Sequence, residues 1–471
     1  MRKDEILDEI FQLLKNEILK NENTNRKVVE YKSPEELKHI FKNNFDFGSS
    51  DEELIDLINN YIKFSVKTSS KQFHNQLFAG TSLPSLLGEL TSVVMNASNY
   101  TYEVSPIGTI MERDLIQKMM SKIGYNSGNG TFLTGGSNGN LVALLCARQQ
   151  FLSQIKIEGL YNLPKLTIFA NEKSHYSFEK AANVLGMGID SVIYVSSDEN
   201  GEMIPSDLKK KVSLSIERGE KPFFVVATAG TTEYGSFDPI SEIYKITQKH
   251  NLWLHIDGAW GGSILLSEKH KQLLNGCELS DSFVWDPHKM MNVPLVCSAF
   301  FTKHIGLLEN TVSTDRAGYI FHEHDLMDYD LGRLSLQCGR RVDVLKLWLA
   351  WNYFGDIGWN NQINYLFETA NKVKEHIKNQ NELELIVEPK SLNILFRVKT
   401  AEDLDSDKFN LAIREKMRLD GTSMCNYTRV NNMLVFRLII INPEKTFDDY
   451  LNFFANLRLA KEQIENSIIY A

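Results

Sequence analysis

Between about residue 105 and residue 310 the chain alternates short, nearly uninterrupted apolar runs with amphipathic segments, a pattern few folds accept. The runs are 165–169 (KLTIF), 191–195 (SVIYV), 223–227 (FFVVA) and 252–256 (LWLHI). Apolar runs that lack a two-residue alternation predict strands buried on both faces, and helices such as 239–246 supply the covers. The expectation is an α/β domain with a mostly parallel sheet over residues 96–345. A helical segment precedes it over 1–95, with Ile6, Ile10, Leu13 and Leu14 at helical spacing for packing on its own protein or a partner subunit. Long helices across 342–380, strands at 392–398 and 433–440, and a closing helix predict a smaller α+β domain over 346–471.

Composition narrows the class. The 471 residues carry a formal net charge of -9, which argues against a wide nucleic-acid footprint. Five cysteines without CxxC spacing fit reduced thiols and a cytoplasmic location better than a disulfide framework. The charged N-terminal stretch lacks the apolar core of a signal peptide, and no later run approaches the ~20 apolar residues of a membrane span.

Polar signals cluster where the apolar runs end, the place where open α/β sheets form ligand crevices. The run 281–286 stops at Pro287 and is followed by His288 and Lys289. A lysine held in an apolar site needs a partner or a covalent use. Lys289 is therefore a candidate for a Schiff base with an aldehyde cofactor such as pyridoxal phosphate, against the plain alternative of a solvated surface lysine. Asp257, after the run 252–256, either caps a turn or pairs with a pyridine nitrogen. Thr228 opens a small, hydroxylated stretch that suits a tight turn or close approach to a ring. The loop 134–140, with Gly136 and Ser137, opens a helix and presents free N–H groups to an anion such as phosphate, or simply starts the helix. His175 stands between a strand and a helix, suited to stacking on an aromatic cofactor or to a local hydrogen bond.

Taken in order, and joined by 73–78 (FHNQLF), 100–106 (YTYEVSP) and 336–343 (LQCGRRVD), these segments resemble the group II pyridoxal-phosphate-dependent amino acid decarboxylases. The likeness is greatest to the acidic-substrate branch of glutamate, cysteine sulfinate and aspartate decarboxylases, and it runs from about residue 70 to 460. It implies the type I fold of pyridoxal-phosphate enzymes, with a mostly parallel, seven-stranded type of sheet, and a homodimer with active sites at the subunit interface. By the same resemblance Lys289 forms the Schiff base, Asp257 binds the pyridine nitrogen, and His175 and Ala259 take the two ring faces. Gly136, Ser137 and His288 hold the phosphate, and Thr228 lies near the departing carboxylate. Arg437, with Asn75 and Gln76, binds the acid that the product retains.

Substrate and departures follow from the same comparison. Trp260 resembles the acidic branch, and Phe78 resembles the cysteine sulfinate and aspartate enzymes, where a bulky ring shortens the pocket. A short acidic amino acid, aspartate or cysteine sulfinate rather than glutamate, is the expected substrate. Gly258 replaces the family's usual alanine and is expected to loosen the turn; His74 is expected near the substrate mouth. The stretch from Arg316 to Leu334, which resembles the family's mobile loop, is about two residues short, and Asp325 aligns with the family's loop tyrosine. Tyr329, or a histidine of His322-Glu323-His324, is expected to return the proton to Cα; that triplet reads as a solvated loop, and no metal is expected. The short loop leaves an aldehyde synthase or transaminase as an alternative, and a catalytically inactive binding protein on the same fold as another.

Overall fold

The computed structural model describes every residue except 24, 25, 162, 315, 316, 323, 324, 403, 470 and 471. In chain order the strands are β1 (Phe73–His74), β2 (Asn129–Leu133), β3 (Leu166–Asn171), β4 (Val192–Val195), β5 (Lys221–Thr228), β6 (Trp253–Gly258), β7 (Ser282–Trp285), β8 (Ser298–Thr302), β9 (Leu383–Leu385), β10 (Asn393–Val398), β11 (Met424–Val430) and β12 (Met433–Ile439). The apolar runs become the middle of one seven-stranded sheet, ordered β2-β8-β7-β6-β5-β3-β4. Neighbours pair in parallel from β4 through β7, and β8 runs antiparallel to both β7 and β2. Every residue of β3, β6 and β7 is buried, as two-sided cover requires.

The helix Gly136–Phe151 packs its buried Val142, Ala143 and Cys146 into the core shared with Ile168, Phe224 and Val284. The expected loosening at Gly258 does not occur. Gly258 is the last residue of β6, and a Cβ there would stand 2.4 Å from Cζ of Phe283, so that ring occupies the space an alanine methyl needs.

The chain divides into two compact units. One holds residues 81–368 and 387–393, with the seven-stranded sheet. The other holds 1–80, 369–386 and 394–471, so the boundaries fall at 80/81 and 368/369 rather than near 95 and 345. The N-terminal residues cluster with the C-terminal ones because β1 pairs in parallel with β11, Phe73 opposite Met424 and His74 opposite Cys425. That strand was hidden in a stretch expected to be helical, since two residues show no period. Its sheet runs β1-β11-β12-β10-β9. The helix Lys3–Leu19 buries none of its residues, and its apolar stripe is only half-buried. Among the described residues no helix is long and apolar enough to cross a membrane.

A buried ion pair braces the larger unit. Arg340 pairs with Glu112 and donates to the carbonyls of Asn99 (2.7 Å) and Phe132 (3.3 Å), while Glu112 also accepts from Asn99 Nδ2 at 2.6 Å. Arg340→Met leaves Glu112 buried and uncompensated, and chemical denaturation is expected to show a loss of about 3–5 kcal/mol. The double variant Arg340→Met/Glu112→Leu is expected to recover most of that loss.

Candidate active site

The carboxyl ends of β5, β6 and β7 open onto a cavity of about 310 Å³ that brings together Gly136, Ser137, His175, Thr228, Asp257, Ala259, His288 and Lys289. Strand register sets the first contacts: Thr228 lies opposite Asp257, and Gly258 opposite Trp285. The chain leaves β7 through Asp286 and Pro287, and the turn returns Lys289 to the cavity with its amine 3.2 Å from Asp286 Oδ2. Asp286 is 2% exposed and Lys289 22%. The lysine is thus paired at once, by an acid three residues before it that the sequence reading passed over. Asp286 Oδ1 accepts from the Ser298 hydroxyl on β8, and His288 Nδ1 lies 2.6 Å from the Cys297 carbonyl. Burial holds the His288 pKa below its usual value, so the ring favours its neutral form.

Gly136 makes this pairing possible. A Cβ on it would meet Asp286 Oδ2 at 2.7 Å and the Ala259 methyl at 3.1 Å. Gly136 also begins the 16-residue helix to Phe151; the first bonds that return to Gly135 come from Asn138 and Gly139, which leaves the N–H groups of Gly136 and Ser137 without helical acceptors. Two outward N–H groups at the positive end of a helix, with an exposed Ser137 hydroxyl, fit a phosphate. Thr228 Oγ1 is buried and has no hydrogen-bond partner among the described residues, so a donor or acceptor on a bound cofactor finds a ready site there.

Asp257 is buried, accepting from Asn140 Nδ2 at 2.9 Å and from the Ala259 N–H at 3.2 Å. His175 is half-buried, its Nδ1 accepting from the Ser177 N–H at 3.3 Å. Burial lowers its pKa, with Asp257 opposing and Lys289 reinforcing. A further buried acid, Asp238, accepts from the N–H groups of Thr228 and Met203 and from Asn171 Nδ2, each at 2.7 Å, and fixes the end of β5. Burial pushes its pKa up to about 6. Asn140, Asp238 and Asp286 carried no sequence signal, because their partners are remote in the chain or ordinary in type.

The remaining expected residues lie elsewhere. Tyr329 closes the short helical turn Met327–Tyr329, its ring 4.3 Å from the Arg113 guanidinium and 5.5 Å from Tyr102. It is not among the residues lining the Lys289 cavity. Of the two alternative histidines, His322 is exposed and His324 lies outside the described residues, as does Arg316 at the start of that stretch. In the smaller unit, Arg437 on β12 is buried and donates to the Asn75 carbonyl at 3.4 Å, and Gln76 and Phe78 are half-buried. His74 is an interior residue there, not one at an open mouth. Its ring sits 5.1 Å from both Tyr450 and Phe453, and burial beside the Lys445 amine keeps it neutral.

Comparison with known proteins matches residues 34–399 to the pyridoxal-dependent decarboxylase conserved domain. The chain is 38% identical over 456 residues to the cysteine sulfinic acid decarboxylase of Mus musculus, covering 93% of this chain and 92% of that one. It is 37% identical to the acidic amino acid decarboxylase GADL1 of Bos taurus, covering 93% and 87%. A crystal structure of mouse CSAD superposes with a TM-score of 0.94 at 36% identity, over 97% of this chain and 98% of that one.

Gly136→Ala is expected to leave the secondary structure intact and to displace Asp286 or Ala259. An overpacking cost of about 1–3 kcal/mol corresponds to roughly 5- to 150-fold weaker pyridoxal phosphate binding. Absorbance titration of the cofactor-free protein measures it.

Proposed function

The chain belongs to the pyridoxal-dependent decarboxylase family, a carboxy-lyase that works with pyridoxal phosphate, and on that premise we propose that it converts a short acidic amino acid, aspartate or cysteine sulfinate in preference to glutamate, to the amine and carbon dioxide. Phe78 carries the reading: a bulky, half-buried ring that leans on Phe73 at 6.4 Å, three residues beyond the Asn75 whose carbonyl Arg437 holds. The acidic substrates in the names of the relatives from Mus musculus and Bos taurus support it.

When bound, pyridoxal phosphate supplies a sink for the electron pair released at Cα as the carboxylate departs. In this proposal the Lys289 amine would hold the cofactor at its aldehyde carbon, and Asp286, 3.2 Å away, would offer a nearby site for the proton that amine must shed. Asp257 accepts from the pyridine nitrogen, and His175 and Ala259 bracket the ring. Gly136, Ser137 and His288 hold the phosphate, and Thr228 offers its unpartnered hydroxyl beside the departing group. Arg437, with Asn75 and Gln76, binds the acid that is retained. An arginine belongs there because a bidentate pair orients the substrate without stabilising the group that must leave. Tyr329 returns the proton to Cα. Its ring stands outside the Lys289 cavity of its own chain, so this step is assigned to the Tyr329 of the second chain in a homodimer. The five free cysteines suit a reducing cytoplasm.

Comparative kcat/KM tests the substrate. One methylene is worth roughly 10- to 200-fold, so aspartate or cysteine sulfinate is expected to exceed glutamate within that range, and a preference for glutamate overturns the reading. Phe78→Ser is expected to narrow the gap. Tyr329→Phe is expected to cut amine yield and raise the aldehyde formed per carbon dioxide released, read by product analysis; an unchanged amine yield removes Tyr329 from the role.

A further inference from the structure

Behind Asp257 a chain of buried polar groups runs away from the cavity, and its donors and acceptors follow once the Asn140 amide is set on the Asp257 carboxylate. Trp253 Nε1, which can only donate, lies 2.8 Å from Ser282 Oγ. The Ser282 hydroxyl also lies 2.8 Å from His255 Nδ1. A hydroxyl that accepts from the indole still has its own proton to give, and with the proton of the neutral ring on Nε2 that proton goes to Nδ1. The proton of the neutral ring sits on Nε2 and goes to Asn140 Oδ1 at 3.1 Å. The carboxylate at the other end orients this amide: Asn140 Nδ2 gives one hydrogen to Asp257 Oδ2 at 2.9 Å and the other to Ser177 Oγ at 2.9 Å, which leaves Oδ1 to accept from His255. With the Ala259 N–H on Oδ1, both oxygens of Asp257 accept.

We propose that Asn140 and His255 are positioning residues of this enzyme, forming a one-way hydrogen-bond relay from Trp253 and Ser282 that holds Asp257 aimed for the cofactor's ring nitrogen. The proposal rests on the reading of Asp257 given above. Reversal would need an unprotonated Nε2, which would turn the Asn140 amide and set its oxygen against the Asp257 carboxylate. The surroundings keep the ring neutral: His255 has no exposed surface and stacks against Phe224 at 5.7 Å, with Phe178 edge-on at 6.2 Å. Burial lowers its pKa to about 4, with the Asp257 charge opposing. Asn140 also links the two sides of the cofactor site. Its second amide hydrogen goes to Ser177, whose backbone N–H donates to His175 Nδ1.

Nitrogen-15 NMR of the full-length protein tests the relay directly, without cofactor or substrate. His255 is expected as the neutral Nε2–H tautomer, with no titration from roughly pH 5.5 to 8.5. The Nδ1–H tautomer, or titration in the ordinary histidine range, overturns the proposal. Variants test its purpose. Asn140→Leu is expected to raise the pyridoxal phosphate dissociation constant about tenfold or more, since it deletes a hydrogen bond to a charged group. It is also expected to shift the pH profile of the bound cofactor's visible band. A purely structural role would lower thermal stability and leave both readouts unmoved, and that result counts against the relay. His255→Gln, whose amide accepts from Ser282 and donates to Asn140, is expected to stay within about twofold of the parent, while His255→Phe follows Asn140→Leu. Asp257→Asn separates the two readings. Unchanged cofactor affinity there overturns the role of Asp257 and the relay with it, whereas a loss there beside none in Asn140→Leu overturns the relay alone.

Discussion

The site depends on the register of three parallel strands. Thr228 on β5 pairs with Asp257 on β6, and Asp257 in turn with Val284 on β7. Side chains alternate between faces, so a one-residue slip of β6 would send Asp257 to the opposite side of the sheet and put Ile256 or Gly258 in its place. Two-sided burial makes such a slip costly, because both faces of β6 are packed. The sheet therefore specifies the position of Asp257 at the cavity by the same apolar contacts that stabilise the fold. Gly258 belongs to that arrangement: Phe283 on the neighbouring strand fills the space a side chain would need.

Charge inside the cavity obeys a second constraint. A lysine amine brought near a low-dielectric interior loses hydration, and several kcal/mol per ion is at stake. Asp286 offsets that loss at 3.2 Å, and Ser298 and the approach allowed by Gly136 hold Asp286 in place. Removing one member leaves another exposed to the full desolvation penalty. Lys289, Asp286 and Gly136 thus form one energetic unit, although they come from a turn and a helix start some 150 residues apart (Gly136 to Lys289).

The sequence made the sheet legible and left much of the site's support hidden. Short apolar runs announced β3 to β7, and in β3, β6 and β7 two-sided burial removes the polar alternation that would confuse them. Phe73–His74 could not announce itself, because a two-residue strand is defined by its partner Met424–Cys425 and not by its own composition. Lys289, Asp257 and His175 were visible because a charged or titratable group at the end of an apolar run is unusual. Asp286 stood beside Lys289 in the same motif, yet an acid near a proline also reads as a turn former, and only the fold turns its carboxylate to the amine. Asn140 and His255 are harder still. Their significance lies in which hydrogen goes to which oxygen, across 115 residues of chain. His74 misled for the opposite reason, since an isolated histidine in a motif suggests a ligand, while this one packs between Tyr450 and Phe453.

A chain of net charge -9 that holds a phosphate cofactor poses a problem that the geometry resolves. At physiological ionic strength surface charges are screened beyond about 8 Å, so the global excess of acids acts weakly on a ligand inside the cavity. Local groups decide. The helix beginning at Gly136 presents about half a positive charge at its N-terminus, where unpaired N–H groups reinforce it. The nearest acids are already engaged: Asp286 faces Lys289, and Asp257 faces Asn140 and the Ala259 N–H. An anion placed at the mouth of the helix would therefore meet donors, while the carboxylates point to partners of their own. Anion binding here follows from which charges are satisfied before the ligand arrives, not from the sum of charges on the chain.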